Sequence, residues 1–229
     1  ADRENFLIGM MKVNFMKRLE SSIVSFRETL KRAVDRMDDL IDRIERFKKH
    51  REENPDLDFD ELNLDEMEDD ELKEALEVGQ KFVFKMHHLN VDAWAKALNS
   101  DRTQLHDLYL WAKDIEVPRD AKMKELKELI EKKVLHPTVD KDGKKNRKVL
   151  IFTAFADTAK YLYDSLHNWI HEDLKVHTAL VMGGDENKST YQPRGFKHQT
   201  EFNTILTHFS PVAKRREQVK NFPTDSEIE

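Results

Sequence analysis

Thr153 and Asp157 stand four positions apart in the stretch NRKVLIFTAFADTAKYLYDSL, residues 146–166. The pair follows an apolar run at 149–152 and opens an amphipathic stretch. A hydroxyl and free backbone N–H groups at such a point can hold a phosphate oxygen. The same side chains can instead cap the helix that follows. Ser210 is the second candidate, since it precedes Lys214, Arg215 and Arg216. Cations near a helix N-terminus oppose its dipole. Their presence hints at an external anion, and a solvated basic face is the alternative reading. Lys144, Lys145, Arg147 and Lys148 suit a phosphate backbone or a basic connector. Gly183 and Gly184 open a polar segment with Lys188, Arg194, Lys197 and His198, read as a loop that touches a polyanion or as a flexible insertion.

Other chemistries lack the residues they need. His87 and His88 are adjacent, whereas a helical metal pair needs a spacing of three or four. Residues 56–77 hold twelve acids against one Lys, but no Gly turn of a calcium loop falls among them. Ser21 and Ser22 fall in a helical pattern with no nucleophile elbow around them. No Gly-x-x-x-x-Gly-Lys-Ser/Thr occurs anywhere. No catalytic residue and no metal ligand are therefore expected.

The elements that must position Thr153 and Ser210 follow from periodicity. Leu19, Ile23, Phe26, Leu30, Val34, Met37, Ile41 and Ile44 step by fours and threes, which predicts one long helix over about 6–50 with a single apolar seam. Asn54-Pro55 stops it. The acidic stretch predicts a solvated connector, then a short helix over 69–78. Helices are predicted over 80–115, with a break near 99–101, and over 119–135 between Pro118 and Pro137. Phe82, Phe84, Trp94, Tyr109 and Trp111 read as core at helical spacing. A turn-rich basic connector then leads to strand 148–153, helix 156–171, strand 174–181, a polar segment 183–200 and a basic helix near 211–222. Strand, helix, strand at that spacing is a βαβ unit, with residues 148–152 and 174–181 side by side and parallel. The fold class expected is α/β and helix-dominated. A long helical hairpin or bundle occupies 1–139, with an acidic connector at 55–70, and an incomplete parallel βαβα unit occupies 140–229.

Composition narrows the class further. Charged residues make 37% of the 229 and hydrophobic ones 38%, a balance that suits long solvated helices better than one large core. Six Gly and six Pro are too few for a turn-rich β architecture. Net charge is −6, so a globally basic nucleic-acid footprint is missing; five bases against one acid at 141–148 make a local one. No apolar run reaches the roughly 20 residues of a membrane span, so no membrane partner is expected. With no Cys and no signal-peptide core at the N-terminus, a cytoplasmic setting is expected.

KVLIFTAFADTAKYLYDSL, a second apolar strand and FSPVAKRREQVKNF together resemble the second motor lobe of Swi/Snf-type ATPases of helicase superfamily two. Arg215 lies seven residues before Phe222, as in that family, and NFLIGMMKVNFMKRLESSIVSFRETLKR looks like the helical lead-in of some bacterial relatives. The resemblance implies a RecA-like fold for 140–229 and a parent protein that is an ATP-dependent DNA translocase or helicase. It implies double-stranded DNA and the protein's own N-terminal motor lobe as partners, and ATP with magnesium as cofactors of the parent. It assigns Thr153, Ser210, Lys214 and Arg215 to nucleic-acid contact. The phosphate loop, the acidic magnesium motif and the two later motifs of the family are not found in this sequence. None of those cofactors is expected on this chain alone, and the chain alone is expected to be inactive. A helical protein-interaction scaffold, using the seam from Leu19 to Ile44 for a partner helix, is the competing expectation. A small-molecule α/β enzyme with its cofactor at the Thr153 loop is weaker, for want of a Gly-rich fingerprint.

Overall fold

The structure, a computed structural model, describes residues 2–55, 77–78, 84–139, 141, 143–183, 186–192, 200–215 and 225–229. Two compact units are present, one of residues 27–114 and one of residues 1–26 with 115–229. The sequence boundary at 139/140 therefore falls inside the second of these.

The long N-terminal helix is two helices, α1 (Asp2–Ser21) and α2 (Ile23–Glu53). Ser22 makes the break. Its Oγ accepts the Ser25 N–H at 3.0 Å, a side-chain cap that starts a new helix where periodicity shows only one. The stop comes one residue before Asn54-Pro55, as the proline rule requires.

In the unit of residues 27–114, Ile44 and Phe47 of α2 pack with Met86 and with Val91, Ala95 and Leu98 of α3 (Val91–Lys113). Asn90 caps α3 by accepting the Ala93 N–H. The expected break at 99–101 is absent. The Asn99 side chain donates to the Ala95 carbonyl, and the Thr103 hydroxyl to the Asn99 carbonyl, so both polar side chains bond back along the helix instead of ending it. Trp94 packs on the core, but Trp111 is 70% exposed and is no core residue. Two expectations shift before α3. Residues 77–78 are strand, not helix: β1 (Glu77–Val78) pairs antiparallel with β2 (Phe84–Lys85). The rest of the helix expected at 69–78, and Phe82, lie outside the described residues.

The other unit is built on two helices. Asp120 caps α4 (Ala121–Leu135) through the Met123 N–H, and α5 (Ala156–Glu172) starts where the sequence places it. Met123, Ile130 and Val134 of α4 meet Leu166 and Ile170 of α5 and Val176 beyond it. The basic connector folds as a hairpin, β3 (Thr138–Val139) against β4 (Lys145–Asn146), with Gly143 at φ 79° in its turn.

The strands depart most from expectation. Residues 148–153 form no ladder. Of 174–181 only β5 (Ala179–Leu180) is strand, and its partner is β6 (Lys188–Ser189), antiparallel, inside the segment expected to be polar loop. Residues 148–152 and 174–181 are not side by side. The C-terminal residues stand between them: His177 bridges Ile228 in parallel, the Glu229 N–H donates to the His177 carbonyl, and the Val149 N–H donates to the Glu229 carbonyl. Helix α6 (Phe202–Phe209) was unforeseen, and residues 211–215 are turn where a helix was expected. The remainder of that helix, 216–222, lies outside the described residues.

A column of rings supports the C-terminal residues. His171 stacks on His177, His177 meets Tyr191 edge-on, and Tyr191 leans on His208, whose Nδ1 is 3.1 Å from Glu227. Burial, and then the neighbouring His171, hold His177 below its ordinary pKa of 6.5; Thr190 and Glu227 oppose that shift. The unfolded chain therefore takes up this proton first. Stability conferred by neutral His177 is full above pH about 6.5 and is lost as pH falls through the lower native value. In urea titrations between pH 7.5 and about 5, His177→Gln is expected to flatten the decline; an unchanged slope would place the effect on other groups.

Candidate nucleic-acid interface

Thr153 lines a cleft of about 530 Å³ together with residues of α1, α4, the 151–155 turn and α5. The hydroxyls of Ser21, Ser22, Thr153 and Thr158 cluster on its floor. Ser21 Oγ is 2.8 Å from Thr158 Oγ1 and 3.4 Å from Thr153 Oγ1, and Ser22 Oγ is 2.9 Å from Thr158 Oγ1. Two amides donate into the cluster, Ser25 N–H to Ser22 and Phe155 N–H to Thr153. Four hydroxyl protons serve three hydroxyl contacts, so one is not used within the cluster.

Asp157, in the first turn of α5, forms a 3.1 Å ion pair with Arg18 of α1. The same guanidinium lies 4.6 Å from the Phe155 ring centroid, a cation–π contact. Phe155 is the N-cap residue of α5, and its side chain makes no cap hydrogen bond. Capping by Thr153 is thus not what the structure contains: its hydroxyl serves the amide before the helix. At the rim, Lys17 and Lys122 bring positive charge, and Lys122 donates to the Glu20 carbonyl. Opposite them the Tyr161 hydroxyl donates to Asp120 at 2.9 Å. The result is a hydroxyl-lined cleft beside a helix start without a side-chain cap, where the first-turn amides of α5 favour an anionic oxygen.

Ser210 is placed differently from its sequence reading. It ends α6 as the C-cap and does not begin a helix; its N–H donates to the Leu206 carbonyl. The segment after it turns within five residues, because the Lys214 N–H returns to the Ser210 carbonyl and the Arg215 N–H to the Val212 carbonyl. Arg215 takes φ 53°. Lys214 and Arg215 are exposed there. Among the described residues no contact joins this turn to Thr153. The link is indirect: the Lys148 ammonium lies 5.1 Å from the Phe209 ring centroid, on a segment that runs on to Thr153. Burial lowers the pKa of Lys148, and Glu229 opposes the shift. Of the connector bases, Arg147 is spent on Glu229, with Nε 2.7 Å from Oε2. Arg194, Lys197 and His198 lie outside the described residues, and Lys188 pairs with Asp164 at 2.9 Å.

Sequence reasoning missed Arg18, Ser21 and Ser22. Their one signal is a pair of small hydroxyl residues on the seam of an otherwise amphipathic helix. Among the described residues no group of three or more His, Cys, Asp or Glu could hold a metal ion, and no helix is long and apolar enough to cross a membrane. Compared with protein-family models, curated proteins and solved structures, the chain matches none.

Proposed function

We propose that this chain works as part of an ATP-driven DNA translocase, contributing a helical extension and part of a RecA-like second motor lobe that grips the duplex backbone. One observation carries the reading: the hydroxyl-lined cleft at Thr153, beside the start of α5 without a side-chain cap and flanked by Lys17 and Lys122. The parallel contact of Ile228 with His177, with α6 between them in the chain, is in keeping with a helix-dominated α/β class. ATP and magnesium are cofactors of the parent motor in this reading, and the sequence of this chain has no phosphate loop for them. Hydrolysis belongs to other parts of the motor. This chain's share is to hold phosphate oxygens, with the spare hydroxyl proton and α5 amides at Thr153 and with the Lys214 and Arg215 side chains at the exposed turn. One grip on each of the two lobes lets a change in lobe spacing become movement along DNA, and these residues form the grip of the second lobe.

Fluorescence anisotropy with a duplex oligonucleotide tests the assignment. Thr153→Ala with Arg215→Glu is expected to weaken binding about equally for all sequences and to lower the slope of log affinity against log salt by about one. Affinity and slope equal to those of the unaltered chain would remove these residues from the interface.

A second reading, a helical interaction scaffold, has its own support. Phe6, Leu7, Ile8, Met10, Met11, Val13 and Met16 of α1 are all exposed. The seam first assigned to that role is largely spent inside the chain, since Leu30, Val34 and Ile44 are buried. Sedimentation separates the two readings: self-association without duplex affinity at low salt favours the scaffold.

A further inference from the structure

We propose that residues 226–229 are a latch and that the His177 ring, stacked between His171 and Tyr191, is its acid trigger. The latch does not depend on what Thr153 holds. Residues 226–229 are tied at three points. Against α6, the Glu227 and Ile228 N–H groups both donate to the His208 carbonyl, at 3.1 and 3.4 Å, and the Ser226 hydroxyl donates to the Phe209 carbonyl. Against the segment before β5, the Glu229 N–H donates to the His177 carbonyl at 3.1 Å. Against the segment that leads to Thr153, the Glu229 carbonyl accepts the Val149 N–H at 2.9 Å, and the Glu229 carboxylate pairs with Arg147. Lifting residues 226–229 therefore frees Val149, four positions before Thr153.

The trigger sits under the middle tie. The His171 and His177 ring centroids are 4.7 Å apart, and those of His177 and Tyr191 are 5.1 Å apart. Tyr191 in turn lies 4.8 Å from His208, whose Nδ1 is 3.1 Å from the Glu227 carboxylate. The titratable groups facing His177 are thus His171 from α5, Tyr191 from the segment after β6 and Glu227 from the latch, with His208 of α6 beyond Tyr191. A proton on His177 charges a half-buried ring beside a second imidazole, and the carboxylate that offsets it is shared with His208.

The sign follows from the order of these effects. Burial is the largest influence lowering the pKa of His177 and His171 the next; Thr190 opposes them, and Glu227 opposes them least. Ile228 is the bridge partner of His177, so lifting the latch admits water to this ring. Opening relieves the largest cost and gives up only the smallest compensation. The opened state therefore takes up the proton first. The latch is fully held above pH about 6.5, and opening becomes more frequent as pH falls toward the native value.

Amide hydrogen exchange of the full chain at pH 7.5 and 5.5, expressed as protection factors, tests the latch. Protection of the Val149 and Glu229 amides is expected to fall by about fivefold to tenfold, tenfold being about the ceiling for one proton taken up at 6.5 and read one unit lower. These openings are expected to be insensitive to low urea, with Ile130 inside α4 better protected at both pH values. His177→Gln is expected to keep the protection at pH 7.5 and to remove the fall. Glu227→Gln is expected to deepen the fall, because it deletes a group that favours the proton only in the closed state; a merely structural Glu227 would lower protection equally at both pH values. The proposal is overturned if Val149 and Glu229 share the protection and urea dependence of Ile130, since residues 226–229 would then leave only on global unfolding. It is overturned equally if the fall persists in His177→Gln, or if protection rises in acid, which would give control to the pair of His208 with Glu227.

Discussion

Replacing Phe47 by Ala is expected to lower the stability of the unit spanning residues 27–114 by about 3–5 kcal/mol. Phe47 is 0% exposed and is the largest fully buried side chain among the described residues. It packs in one cluster with Ile44, Met86, Val91, Ala95 and Leu98, so it ties α2 to the turn before α3 and to the start of α3. Removing the ring forfeits its transfer free energy and leaves a cavity between elements that cannot fully close on it. Domains are stable by only about 5–15 kcal/mol, so the loss takes a large share. Urea unfolding followed by Trp94 fluorescence reads the effect, because Trp94 packs against this cluster. Phe47→Leu keeps most of the volume and is expected to cost under about 1.5 kcal/mol. Equal midpoints for Phe47→Ala and the unaltered chain would show that this cluster is not what holds the unit together.

The second large effect is expected at Thr158. This residue is 4% exposed and its hydroxyl lies within hydrogen-bond distance of both Ser21 and Ser22. Thr158→Val keeps the shape and deletes the oxygen. Ser22, itself 5% exposed, then loses one of its partners. A buried hydroxyl left without its partner costs about 1–3 kcal/mol. The loss falls on the junction of α1 and α2 against α5, beside the ion pair of Arg18 with Asp157. Thr158→Ser retains the oxygen and is expected to recover most of the loss. If valine is as stable as threonine in thermal unfolding, the hydroxyl cluster contributes no net stability. If the valine variant is less stable while its duplex affinity is unchanged, the cluster is a joint and not part of the phosphate grip.

Much of the helical architecture was legible in the sequence, because a helix records its buried face in its own spacing. The seam from Ile23 to Ile44, the stop before Asn54-Pro55, the helix between Pro118 and Pro137 and the start of α5 all rest on local rules. The seam runs from Leu19 to Ile44 in the sequence pattern, and Phe47, fully buried, continues it three residues on. Ser22 was legible only as a polar residue in a helical pattern; its role as a cap depends on a rotamer, and composition cannot supply one.

The strands and the candidate site were decided elsewhere. Val149 to Phe152 have the composition of a buried strand, but a strand exists only through partners, and here the first partner is Glu229, eighty residues away in sequence. Nothing local to 148–153 or 174–181 specifies that Ile228 and Glu229 come between them. The same holds for Thr153, whose type and position in the chain marked it, while its neighbour Ser21 comes from a helix more than 130 residues earlier. The chain by itself determined its helices and the hydroxyl-bearing turn, since those depend on spacing and capping within a few residues. Which segments pair, which serines meet Thr158 and whether Ser210 ends a helix or starts one were decided only in three dimensions, because hydrogen bonds between distant segments leave no periodic trace in sequence.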